Sequence, residues 1–188
     1  MTETVVAKSI ESIFPGCTAY LAPCHQNVIW EILFTLENEG HIPSVFCKYP
    51  CKKSSAAIDS YSLLSQVSLI EHSIHVVQKI TTLIAPRLPI FPLGVIAALG
   101  HDIGKIPRIC NRLPGEYTKI KHARAGALAV EESLRGKLGP IETSVVIEAI
   151  NYHHEDRNAG PLLNLLKQAD REARAEEEAT CIFQQTKR

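Results

Sequence analysis

Net charge is the first thing this sequence lacks. Twenty lysines and arginines meet twenty aspartates and glutamates over 188 residues, for a formal net charge of +0. A balanced chain offers no broad footprint for nucleic acid or for an anionic membrane surface, since both need a surplus of basic residues. Long apolar runs are missing as well. No stretch approaches the roughly 20 apolar residues of a membrane-spanning helix, and Met1-Thr2-Glu3-Thr4 does not open a charged-then-apolar export segment. The chain is therefore expected in the cytoplasm, without a membrane partner. It has no GxxxxGK loop to cradle phosphates and no GxSxG turn to present a nucleophilic serine. There is no internal repeat.

Six cysteines without an export signal are expected to be reduced thiols or metal ligands, not a disulfide framework. Cys17, Cys24, Cys110 and Cys181 are scattered, and only Cys47 and Cys51 form a close pair. With Cys24, His25 and His41 that pair could build a zinc site, but the irregular spacing and apolar neighbours favour scattered core thiols.

The chain divides near residues 52–58, where Pro50-Cys51-Lys52-Lys53-Ser54-Ser55 has the composition of a connection. Residues 1–57 are read as a small N-terminal extension of uncertain fold. It holds a helix around Val28–Phe34, ended by Gly40, and a short strand or extended arm at Ser44–Tyr49. The amphipathic stretch around Trp30 is read as covering the bundle or making a homodimer contact. Residues 58–188 show only helical periodicity. Leu63, Leu64, Val67, Ile70, Ile74, Val77, Ile80 and Ile84 recur every three or four residues as one buried face, capped by Asp59 or Ser60 and ended by Pro86. Further helices are expected from near Pro92 to the His101-Asp102 pair, from Tyr117 to Arg135, from Ile141 to beyond Ile150, and from Leu162 into the acidic run Glu176-Glu177-Glu178. A loop fills 106–118. The fold class is all-α, a helical bundle.

Within that bundle, His72, His101, Asp102, His122, His153, His154 and Asp170 sit on or beside helical segments rich in apolar neighbours. Ionisable groups close to a core need compensation, and a bound cation supplies it to several at once. Imidazole and carboxylate ligands suit iron, manganese, zinc or cobalt, and the lack of a nearby thiolate argues against a structural zinc knot. Each residue alone has an ordinary structural explanation. Together they point to metal ligation.

The ordered set His72, His101-Asp102, His122, His153-His154, Asp170 resembles the HD-domain superfamily of metal-dependent phosphohydrolases over about residues 60–175. Ala98-Leu99-Gly100-His101-Asp102-Ile103-Gly104-Lys105 is a close copy of its central motif. Glu71-His72-Ser73 is similar to its opening helix, and Asn151-Tyr152-His153-His154-Glu155 and Lys167-Gln168-Ala169-Asp170 to its last two motifs. The resemblance implies an HD-type helical bundle with two divalent metal ions, iron or manganese first, with zinc, cobalt, nickel or magnesium as further choices. By the same resemblance His72, His101, Asp102 and Asp170 would hold one ion, and Asp102, His122 and His153 the other, with Asp102 bridging. With the extra histidines His122 and His153 the chain looks like the two-metal branches, and the short spacing from His153 to Asp170 is more similar to the diadenosine tetraphosphatase-like group. The stretch Asp156-Arg157-Asn158-Ala159-Gly160-Pro161 departs from the Gly-Tyr-Pro of the cyclic-dinucleotide branch.

The chemistry so implied is hydrolysis of a phosphate ester or anhydride, on a nucleotide or a similar small molecule. Two cations a few ångströms apart acidify a bridging water and offset phosphoryl charge. Asp102, Lys105 and His154 are the candidate catalytic residues: Lys105 to contact phosphate, His154 to support the centre, to ligate or to donate a proton. Lys119, Lys121 and Arg124 form a second basic lip, with Arg108 and Arg157 as further candidates. Two other readings share the same ligands: a diiron oxygenase, and a non-catalytic metal- or nucleotide-binding sensor.

Overall fold

Ten consecutive residues, Phe91 to Gly100, carry no polar side chain, so a helix made from them has no face for water and must lie at the centre of the bundle. In the computed structural model, which describes residues 10–45, 60–157 and 160–186, all ten are buried. In chain order the helices are α1 Pro23–Glu39, α2 Ser60–Leu64, α3 Leu69–Leu83, α4 Ile90–Gly100, α5 Pro107–Cys110, α6 Lys119–Leu134, α7 Pro140–Tyr152 and α8 Gly160–Thr186. Short 3-10 turns lie at Thr18–Tyr20 and Ile103–Lys105. The fold is an all-helical bundle. Among the described residues there is no strand, only an isolated antiparallel bridge between Pro43 and Ser68.

Around α4 pack α1, α3, α7 and α8, while α6 lies along α7 and against the turn at Ile103–Lys105. Helix α1 is not peripheral: Val28, Ile29, Ile32, Leu33 and Leu36 belong to the same buried cluster as Leu99, Val130 and Ile150. No described helix is long and apolar enough to cross a membrane. Cys17, Cys24, Cys110 and Cys181 are free. Cys47, Cys51, the possible cap Asp59, the boundary at 52–58 and most of the expected arm at 44–49 lie outside the described residues.

The single helix expected up to Pro86 is in fact two. Ser68 caps α3: its hydroxyl accepts from the Glu71 N–H at 3.3 Å, and the Glu71 carboxylate accepts from the Ser68 N–H at 2.8 Å. This reciprocal capping satisfies two N–H groups a helix start leaves unpaired, so α3 begins there even though the apolar spacing runs on through it. The expected loop at 106–118 also holds the short helix α5.

One close approach fixes the geometry near the centre of the sequence motif. A Cβ on Gly104 would lie 1.9 Å from the His122 carbonyl oxygen and 2.5 Å from the Gly126 nitrogen. Only glycine lets the turn after Asp102 rest directly on the α6 backbone.

Candidate metal centre

Five chain segments deliver the candidate ligands to one place. His72 comes from the first turn of α3. His101 and Asp102 follow the last turn of α4, whose apolar body leaves them fully buried. His122 rides in the first turn of α6, which Thr118 caps by accepting the Lys121 N–H at 2.9 Å. His153 and His154 follow α7, and Asp170 lies on α8. His72, His101, Asp102, His122 and His153 are each at most 5% exposed.

The Asp102 carboxylate divides them into two groups. Its Oδ2 lies 3.4 Å from His101 Nε2 and 3.8 Å from His72 Nε2. Asp170 Oδ1 completes that side, 3.1 Å from His72 Nε2 and 3.9 Å from His101 Nε2. Asp102 Oδ1 faces the other group, 3.1 Å from His122 Nε2, 3.6 Å from His153 Nε2 and 4.0 Å from His154 Nε2. The potential ligand atoms of His72, His101 and Asp102, and those of Asp102, His122, His153 and His154, each form a set compact enough for an ion. His154, with its Nε2 only 2.8 Å from that of His122, stands within the second set.

The far side of each ring explains why the near side points inward. His101 Nδ1 donates to the Ala98 carbonyl at 2.7 Å, and His153 Nδ1 to the Ile150 carbonyl at 2.6 Å. A carbonyl only accepts, so the proton sits on Nδ1 and the Nε2 lone pair faces the centre. His72 Nδ1 donates to Glu177 Oε1 at 2.9 Å, and His122 Nδ1 meets the Tyr117 hydroxyl at 2.9 Å. His75, one turn along α3, donates to the same Glu177 oxygen at 2.8 Å.

Charge and burial compete here. Burial raises the Asp102 carboxyl, but Lys105, His101 and His122 outweigh it and hold it well below the ordinary carboxylate range. Burial also raises Asp170, and the closeness of His72 and His101 overcomes it and holds the carboxyl below its ordinary range. Burial, helped by His153, pushes His154 down to about 2, leaving a neutral imidazole. The residues fit a cation by a further test. His72 Nε2, His101 Nε2, Asp102 Oδ1, His153 Nε2 and Asp170 Oδ1 are buried without a hydrogen-bond partner. Lone pairs turned inward from several neighbouring groups are costly unless a positive ion sits among them.

A cavity of about 460 Å³ opens at the centre, lined by Val45, Leu64, Tyr117, Lys105, Lys119 and Arg174 beside Asp102, His122, His154 and Asp170. Lys105 is buried, its ammonium 2.5 Å from Asp102 Oδ2 and 2.7 Å from the Ser44 carbonyl. Of the other basic candidates only Lys119 lines this cavity. Lys121 donates to the Gly115 carbonyl, Arg108 pairs with Glu39, Arg157 lies over the Tyr152 ring and Arg124 is exposed.

Sequence reasoning missed three residues. Glu177 is 4% exposed although it belongs to an acidic run that reads as solvated. Arg174 enters the centre, and Ser44 reaches it from outside the motifs. A signal for two of them existed, because Asp170, Arg174 and Glu177 follow one another at the spacing of one helix face.

The HD-domain family model matches residues 69–179, more than half of the chain. The chain belongs to the HD-domain family, whose members are typically metal-dependent hydrolases, and its His/Asp cluster is of a kind that could bind a divalent metal. No curated protein and no solved structure matches it.

Proposed function

We propose that this protein is a phosphohydrolase that uses two divalent ions to cleave a phosphate ester or anhydride of a nucleotide or similar small molecule. The observation that carries the reading is the division of Asp102: one carboxylate oxygen faces His72 and His101, which Asp170 also approaches, and the other faces His122, His153 and His154, beside a cavity with lysine and arginine in its wall. Iron or manganese suits the mixed imidazole and carboxylate set. Bound divalent ions supply acidified water and neutralise charge on a phosphoryl group.

The chain's own residues prepare the site. His72, His101, Asp102 and Asp170 would hold one ion; Asp102, His122 and His153, with His154 beside them, would hold the other. The carbonyls of Ala98 and Ile150 keep His101 and His153 in the ligating tautomer. Lys105 holds Asp102 in orientation through its Oδ2, and Lys119 and Arg174 give the cavity the charge an anionic substrate needs. Val45 and Leu64 add apolar wall to the cavity. The order of the ligands, and the short run between His153 and Asp170, support a place near the diadenosine tetraphosphatase-like group.

The test is phosphate release from a panel of mono-, cyclic and dinucleotides with manganese or ferrous iron, against Asp102→Ala. The reading expects turnover in the wild-type protein and its loss in the variant. No turnover by a protein shown to hold two ions would sink it for that panel, and oxygen uptake by the iron form would replace it with oxygenase chemistry.

A further inference from the structure

We propose that Arg174 grips the phosphoryl group of the substrate, with Ser44 as its positioning residue; the inference rests on the phosphohydrolase reading above. Arg174 stands one turn beyond Asp170 on α8. One end of its guanidinium is pinned: Nη1 donates to Ser44 Oγ at 2.8 Å and lies 3.3 Å from Glu177 Oε2, and Nη2 donates to the Ser44 carbonyl at 3.3 Å. The opposite edge, made of Nε and Nη2, is turned towards the centre. Nε lies 3.8 Å from Asp170 Oδ1 and Nη2 3.5 Å from Asp102 Oδ2, within ionic reach but without a hydrogen bond.

That edge is the side-on fork of an arginine, two N–H groups set to meet two oxygens of one phosphate or carboxylate. Here it faces the two carboxylates proposed to take a metal ion, and Arg174 lines the cavity above them. The other cations are less well placed for this task. Lys105 already directs its ammonium to Asp102 and to Ser44, and Lys119 is exposed at the mouth.

Ser44 is fully buried and is itself held in place. Its N–H donates to the Val67 carbonyl at 2.9 Å, and its hydroxyl donates to the Leu64 carbonyl at 3.4 Å, leaving the oxygen lone pairs for Arg174. Its carbonyl receives both Lys105 and Arg174. Two cations of the site thus hang from one residue that lies outside the matched span of residues 69–179.

The experiment measures inorganic phosphate binding by calorimetry to the metal-loaded full chain, with metal content determined for every variant, alongside turnover on the nucleotide panel. Arg174→Gln is expected to weaken phosphate binding about tenfold or more, as the loss of charge-assisted hydrogen bonds implies, with metal content unchanged. Any panel substrate should then show a raised KM. Ser44→Ala, which removes one of the two hydrogen bonds that Ser44 accepts from Arg174, should give a smaller change in the same direction. Equal phosphate affinity in wild type and Arg174→Gln would overturn the inference, whether or not the wild type turns over substrate. So would a wild type that binds no phosphate. Should Arg174→Gln lose metal, Arg174→Lys decides: retained metal with weakened phosphate supports the fork, and wild-type affinity overturns it. Arg174-dependent phosphate binding without any turnover would leave this inference standing while the hydrolase reading fails.

Discussion

The Glu177 carboxylate stands 2.9 Å behind His72, from which it is separated by 105 residues of sequence. Burial raises Glu177, yet the hydrogen bonds from His72 and His75 bring it down to about 2, so it is an anion in the folded protein at neutral pH. A buried anion behind an imidazole fixes the tautomer and makes the opposite nitrogen a better donor to a metal. Backbone carbonyls do the same for His101 and His153, without a full charge.

Glu177→Gln should therefore weaken binding of the ion nearest His72 by about 10- to 100-fold, the range found when such outer partners are removed. Competitive titration with a metallochromic chelator measures it. The ion in the His122–His153 group should keep its affinity, because Glu177 touches none of those rings.

Asp102→Ala and His153→Ala should differ in the number of ions lost. Removing the shared carboxylate takes a ligand from both groups, whereas removing His153 takes one from a single group. Metal analysis after dialysis is expected to show both ions depleted in the first variant and one retained in the second.

Gly104→Ala should destabilise the fold severely, by about 3 kcal/mol or more, since forced overlap with backbone belongs to the small class of large single-residue effects. The methyl would meet the His122 carbonyl and the Gly126 nitrogen, neither of which can rotate away. Urea unfolding measures the loss. A variant of wild-type stability would mean that the α6 backbone is free to retreat.

His25 supplies a pH prediction away from the metal centre. Burial lowers it below its usual 6.5, against the raising effect of Glu142. Its Nδ1 is buried without a partner. The unfolded chain then binds a proton more readily than the folded one as pH falls below 6.5, so unfolding free energy declines towards acid until the folded group also titrates. In His25→Leu that contribution should vanish, giving a shallower loss of stability between about pH 6.5 and pH 5 in urea titrations.

The bundle and the gathering of the candidate ligands were legible for different reasons. The HD motif shows in sequence because its chemistry is compressed into neighbouring residues, and α4 shows because ten apolar residues in a row leave it one place to go. The break before α3 was legible too, in Ser68-Leu69-Ile70-Glu71, but the apolar spacing continuing across it hid the cap. Glu177 was obscured by its neighbours. Among Glu176, Glu177 and Glu178 the sequence shows three equal charges, and only the phase of α8 sends the middle one inward while Glu176 reaches Lys79 at the surface. Ser44 carried no signal at all. Its role depends on a common hydroxyl, on a backbone carbonyl, which every residue has, and on packing between segments distant in sequence.

The limits of the family match and the limits of the folding unit do not coincide. A fragment cut at residues 69–179 would keep every candidate ligand from His72 to Asp170 and still be an incomplete protein. It would bare the faces of α4 and α6 that Ile29, Ile32 and Leu36 cover, and it would leave Lys105 and Arg174 without their common anchor at Ser44. Such a piece should aggregate when expressed. Transplanting this centre into another scaffold would require carrying the N-terminal helix and its following turn along with the motifs.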